Sequence, residues 1–237
     1  MMGYALPHLY DALYSLKDYK GETGMLTRLI RERSPAARTL LDVACGTGRH
    51  LQLLRTDFEV EGVDIDEGLL AVARERLRTV PLHVGDMRTM HLGRRFDAVT
   101  CLFSAIGHLK DVSELDRAIA SMASHVEPGG VLIVEPWLEP HLWVTGRLHL
   151  LTVDEPDLKI ARVTVPSQRG TTSILDFHYL VATPDGVKAL DERMALQLFT
   201  SGEQLQAFER AGLEVEHDPE GLIGRGLFIG RKPAAAV

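Results

Sequence analysis

Short apolar runs alternate with amphipathic stretches along the first 135 residues. Runs at 39–43, 58–63, 82–84, 96–103 and 131–134 predict five strands. The run at 96–103 is nearly continuous, as a strand covered on both faces requires. Between the runs, Leu26, Leu29 and Ile30 recur at helical spacing within 22–33, and a second helix starts over 49–55. Leu69, Leu70, Val72 and Ala73 outline a third helix, which Asp66 can cap. Ser113 and Asp116 have the spacing of a capping box for a helix running to Val126. Strand–helix alternation of this kind predicts a parallel, doubly wound α/β sheet. From about residue 138 the pattern changes. Segments 160–165, 173–182 and 187–199 read as strands, with Pro184-Asp185-Gly186 as a hairpin turn between the last two. They predict a small antiparallel β annex, inserted over about 138–199. Thr200 and Glu203 form another capping box, for a helix ending at Gly212. Segments 213–215 and 227–229 then predict a closing hairpin on the main sheet. A single domain over 1–237 follows.

The apolar run at 39–43 ends in a turn of small residues, Ala44, Gly46 and Gly48. Small residues there let a ligand rest against bare backbone N–H groups. About 20 residues on, the next run ends in Asp64, placed as an open α/β sheet places a ribose-binding carboxylate. The turn is spaced two and two. A dinucleotide fingerprint is spaced two and three, and its third glycine position falls here on Leu51, which disfavours NAD or FAD.

Charge and composition narrow the partners. The net charge is −7 with no basic cluster, which argues against nucleic acid or an acidic membrane. No uninterrupted apolar run reaches about 18 residues, so no membrane helix is expected. The N-terminus lacks the pattern of a signal peptide. The two cysteines, Cys45 and Cys101, sit at apolar strand ends and read as buried thiols. A cytoplasmic protein is the expectation. His83, His91, His125 and His217 are scattered without metal-ligand spacing, so no metal is expected.

Asp42-x-Ala44-x-Gly46-x-Gly48, Asp64, Gly85-Asp86-Met87, Phe96-Asp97-Ala98-Val99 and Glu127-Pro128-Gly129-Gly130 follow one another in the order of a known family. The stretch resembles the class I S-adenosylmethionine (SAM)-dependent methyltransferases, which implies their Rossmann-like fold and SAM as cofactor. By that resemblance Asp64 holds the ribose hydroxyls and Asp86 accepts from the adenine amine. Tyr10, Tyr19, Ala44, Gly46, Gly48, Asp64, Ile65, Asp86, Met87 and Phe103 are the expected cofactor residues. Four of the five tyrosines fall in residues 1–20, an expected lid. The resemblance implies that Tyr10 and Tyr19 meet the SAM carboxylate and that Tyr4 lies nearer the methyl group. Tyr14 is read as packing.

A narrower resemblance runs nearly end to end. Leu41-Asp42-Val43-Ala44-Cys45-Gly46-Thr47-Gly48, Phe103-Ser104-Ala105-Ile106-Gly107-His108-Leu109, Val134-Glu135-Pro136-Trp137 and Gly224-Arg225-Gly226-Leu227-Phe228 are similar to the TDP-aminosugar N,N-dimethyltransferases of macrolide sugar pathways. The resemblance implies a TDP-linked amino deoxysugar, methylated twice on nitrogen. His108 is then the residue nearest the acceptor amine, and with Tyr4 it is the expected catalytic pair. Ser104, Glu135, Trp137 and Arg225 are expected at the acceptor, with Arg225 on a phosphate. Asp176 and His178 share one face of an annex strand, and that face is expected toward the acceptor. A second subunit is a further candidate to contact the annex, giving a homodimer. Leu138-Glu139 stand where relatives carry a second aromatic, Leu222-Ile223 where they carry Pro-Ser, and 138–170 match poorly. These departures keep open a methyltransferase acting through oxygen, carbon or nitrogen on another small molecule, and a non-catalytic SAM-binding protein.

Overall fold

The computed structural model describes residues 7–234. In chain order a short helix α1 (Tyr10–Leu13) leads to α2 (Tyr19–Arg33). Then come β1 (Thr39–Val43), α3 (Arg49–Leu54), β2 (Glu59–Asp64), α4 (Glu67–Arg76), β3 (Leu82–Val84), β4 (Phe96–Cys101), α5 (Val112–Ser124) and β5 (Val126–Val134). The annex strands are β6 (His149–Glu155), β7 (Leu158–Arg169), β8 (Thr172–Thr183) and β9 (Gly186–Gln197). The chain closes with α6 (Ser201–Arg210), β10 (Glu214–Asp218) and β11 (Leu227–Arg231).

The main sheet has seven strands in the order β10-β11-β5-β4-β1-β2-β3. β1 to β5 run parallel, and the closing pair is antiparallel. Strand order reverses between β1 and β4, so the carboxyl edge there is the ligand crevice. Both faces are covered. Leu41, Val99 and Leu132 pack with Leu115 and Ile119 of α5 and Phe208 of α6. Leu40, Val60 and Ile133 pack on the other side with Leu26 and Ile30 of α2 and Leu51 of α3. A third core joins Leu9 and Leu13 to Ile160, Phe177, Tyr179 and Val181 of the annex. Residues 7–14 therefore lie between the two sheets.

The main sheet and the annex follow the pattern read from the sequence, with local corrections. β4 stops at Cys101 because Phe103 (φ 53°) and Ser104 (φ 62°) enter the left-handed region, which no strand accommodates. β5 starts at Val126, not Val131: the Pro128–Gly130 turn is absorbed into the strand, with Gly129 at φ 84° and a register shift opposite Phe96 and Ala98. Asp111, not Ser113, caps α5, accepting from the Glu114 amide at 2.9 Å. β6 was not expected; its mixed, mostly exposed sequence carries no clean alternation.

Candidate active site

The turn after β1 holds three residues in the left-handed region, Ala44 (φ 58°), Gly46 (φ 55°) and Gly48 (φ 74°). This lifts the chain away from the strand and exposes its backbone. The Gly46 amide donates to Asp64 Oδ2 at 2.7 Å, and the Asp66 amide to Oδ1 at 2.8 Å. Burial raises the Asp64 pKa, and these two amides partly offset it. Asp42, behind the turn, accepts from the Thr100 hydroxyl at 2.7 Å and is pushed up to about 6 by burial. Both acids would gain from a positively charged ligand.

A cavity of about 260 Å³ runs along the strand ends, lined by Ala44, Asp64, Ile65, Asp86, Met87 and His108. Arg88 holds the Asp86 carboxyl below its usual range through bonds of 2.9 and 3.0 Å from Nε. An adjoining recess takes in Tyr10, Tyr19, Gly46, Thr47 and Phe103. Burial pushes the Tyr19 phenol up to about 12, so it stays a hydrogen-bond donor. Gly48 acts differently from its neighbours: a Cβ there would lie 2.5 Å from Leu77 Cδ1, so the glycine serves packing. With that exception, the ten expected cofactor residues converge on this edge.

Beyond Phe103 a larger cavity, about 530 Å³, opens between the main sheet and the annex. His108 lines both cavities. Among the described residues its buried Nδ1 has no partner, and burial lowers its pKa, so the ring is neutral near neutral pH. Ser104 donates to the Pro136 carbonyl at 2.7 Å and accepts from Arg225 Nη1 at 3.0 Å. The Arg225 guanidinium lies over the Trp137 ring, 4.8 Å from its centroid. Trp137 Nε1 in turn donates to Ser173 Oγ at 2.9 Å, tying this loop to the annex.

Glu135, Asp176 and His178 stand away from the large cavity. Glu135 is fully buried, and its Oε2 accepts from the Phe103 amide at 2.6 Å. It props the loop from behind. Asp176 and His178 point to the outer face of the annex, paired with Arg193 at 2.5 Å and Asp191 at 2.6 Å. Leu175 and Phe177 line the cavity instead, because the annex must bury its apolar face against Leu9 and Leu13. Tyr4 lies outside the described residues.

The structure also adds residues. Tyr14 packs against the third core as expected and also borders the large cavity, stands edge-on to Phe103 at 5.0 Å, and accepts from Arg162 Nη1 at 3.4 Å. The tyrosine cluster was its signal. Arg162, facing the same cavity from β7, could be found only from strand register. Under the turn, buried Glu22 bonds His50 at 2.8 Å and pairs with Lys17. Burial would raise the Glu22 pKa, but these two partners together bring it down.

A left-handed small-residue turn, a strand-end acid and a neighbouring acceptor cavity define a SAM-dependent methyltransferase. Residues 40–130 match the family described as "Methyltransferase domain". The chain is 45% identical over 229 residues to the dTDP-3-amino-3,6-dideoxy-alpha-D-glucopyranose N,N-dimethyltransferase of Streptomyces fradiae, covering 95% of this chain and 90% of that protein. It is 42% identical over 226 residues to the dTDP-3-amino-3,4,6-trideoxy-alpha-D-glucopyranose N,N-dimethyltransferase of Streptomyces venezuelae, covering 94% and 95%. The crystal structure of Streptomyces venezuelae DesVI superposes with a TM-score of 0.92 at 41% identity, over 98% of this chain and 99% of that one. SAM-bound CalS10, an amino pentose methyltransferase of calicheamicin biosynthesis from Micromonospora echinaspora, gives 0.87 at 38% identity over 98% of both. The chain belongs to the dTDP-amino-sugar N,N-dimethyltransferase family.

Proposed function

We propose that the protein transfers methyl groups from SAM to the amine of a TDP-linked amino deoxysugar, twice on the same nitrogen. The observation that carries this reading is the order of groups leading away from the cofactor edge. His108 stands where the two cavities meet. Ser104 and Arg225 follow, joined at 3.0 Å, and then Trp137 under the guanidinium. An amine at His108, an anion at Arg225 and an apolar ring near Trp137 match the sequence sugar, diphosphate, nucleoside. The relatives named for dTDP-amino sugars support the same acceptor.

Asp64 and Asp86 would hold the ribose and adenine, and Tyr10 and Tyr19 the methionine end. The bound cofactor supplies an electrophilic methyl group. Transfer needs the amine in line with the methyl–sulfur bond that would break as the nitrogen–carbon bond forms, so most of the rate would come from His108, Phe103 and Tyr14 holding the two partners aligned. An ammonium has no lone pair and must lose its proton first. Neutral His108 can accept that hydrogen bond or the proton itself. Phe103 and Tyr14 close the junction against water.

The test is incubation of the purified protein with SAM and a TDP-3-amino-deoxysugar, read by mass spectrometry. Successive gains of one and two methyl groups are expected. Transfer to a phenol or amino acid, with none to any TDP-amino sugar, overturns the reading. We also propose a homodimer through the outer face of the annex. Val163, Leu180 and Val187 are exposed there at 40, 56 and 68%, beside the Asp176–Arg193 and His178–Asp191 pairs.

A further inference from the structure

Arg49 opens α3 directly after the cofactor turn. Its side chain borders the recess shared by Tyr10, Tyr19, Asp42, Gly46 and Thr47. The guanidinium stacks on Tyr19, 5.1 Å from the ring centroid, and also meets its phenol, while among the described residues its buried Nε has no hydrogen-bond acceptor. Asp11 Oδ1 stands 4.0 Å from that nitrogen, but Asp11 is already engaged by Thr47 Oγ1 at 2.7 Å and by Arg76. Arg49 is thus a cation beside the cofactor turn whose carboxylate neighbour among the described residues, Asp11, has other partners.

SAM brings three charges to this edge, a sulfonium, an ammonium and a carboxylate. Asp42, on this recess, suits a positive group. The negative one needs a cation. His50 borders the same recess, but its Nε2 is committed to Glu22 at 2.8 Å. Lys17 is paired with the same Glu22. Among the described residues bordering the recess, Arg49 is the basic group left with an open donor, its Nε. We infer that Arg49 binds the carboxylate of the SAM methionine moiety, with Tyr19 beneath it fixing the plane of the guanidinium. A planar fork matches a carboxylate better than a point charge does. The inference rests on SAM being the cofactor, and it adds a residue to the tyrosines already expected at that carboxylate.

Calorimetric titration of the full-length protein tests it, with two ligands. S-adenosylhomocysteine carries the amino-acid carboxylate; 5′-methylthioadenosine lacks the amino-acid moiety. Arg49→Gln is expected to weaken S-adenosylhomocysteine binding roughly 10- to 100-fold, the range for a lost hydrogen bond to a charged group. It should leave 5′-methylthioadenosine binding within about twofold of wild type, which also shows that the variant folds. Arg49→Lys should recover part of the loss. Unchanged S-adenosylhomocysteine affinity overturns the inference. Equal weakening of both ligands also overturns it, because that marks a structural role. If wild type binds neither ligand, the cofactor assignment itself falls.

Discussion

Arg225 is the residue on which the acceptor reading turns, and its replacement by Met isolates the charge. Met keeps an apolar stem over Trp137 and removes the guanidinium. In the protein alone, Arg225 has a hydroxyl at 3.0 Å and an indole face at 4.8 Å as partners. Among the described residues, no carboxylate lies within ion-pair distance of it. Burial lowers its pKa, so the cation is held at a cost that an incoming anion would relieve. A guanidinium–phosphate hydrogen bond is worth about 1.5–3 kcal/mol, which converts to roughly 10- to 150-fold in affinity. The ring contact exists with and without acceptor and adds nothing to this difference. Steady-state kinetics at saturating SAM should therefore show KM for the TDP-amino sugar rising within that range, with a smaller change in kcat. Titration with TDP alone should show the same loss, while SAM affinity stays at the wild-type value. Arg225→Lys should fall between, since an ammonium lacks the planar fork. A KM for Arg225→Met within about threefold of wild type, well below the hydrogen-bond range, refutes the phosphate role. Equal losses for acceptor and SAM would refute it too.

Other expectations follow from the same geometry. Burial lowers the His108 pKa, so below the ordinary histidine pKa of about 6.5 the unfolded chain binds the proton first and stability falls with pH. His108→Asn removes that proton, and its thermal unfolding temperature should fall less than wild type between pH 7 and 5; parallel curves would contradict the buried neutral ring. Gly48→Ala meets both a φ of 74° and Leu77 Cδ1 at 2.5 Å. It should cost about 2–4 kcal/mol and lower Tm by roughly 5–15 °C. Gly46→Ala, with open space at its Cβ, should lose only about 1 kcal/mol, and a reversed order would disprove the packing role of Gly48. Leu180→Glu replaces an exposed apolar side chain of the outer annex face with a charge and should convert a dimer to monomer in light scattering, whereas a wild-type monomer would remove the proposed interface.

The cofactor half was legible because its chemistry is written in backbone terms. Fully buried parallel strands read as continuous apolar runs, and a turn that exposes amides needs small residues at fixed spacing, as at Ala44, Gly46 and Gly48. The acceptor half depends on side chains from separate segments, and there the sequence supplies a choice without deciding it. Alternation along β8 separates Asp176 and His178 from Phe177 and Tyr179, but it does not say which pair faces inward. The polar pair looks suited to a sugar. The aromatic pair faces inward because Leu9 and Leu13 need an apolar partner, a contact made across about 160 residues of chain. Arg49 and Arg162 were hidden for a related reason. An arginine at a helix start or on a strand reads as solvated until its carboxylate neighbours are known to be engaged elsewhere, as Asp11 is by Thr47 and Arg76. His108 and Arg225 were legible as residues and gained their meaning from placement: one where two cavities meet, the other on an indole face beside Ser104. Leu9 and Leu13 join the annex to the main sheet, so changes at either should alter acceptor binding although neither lines the large cavity.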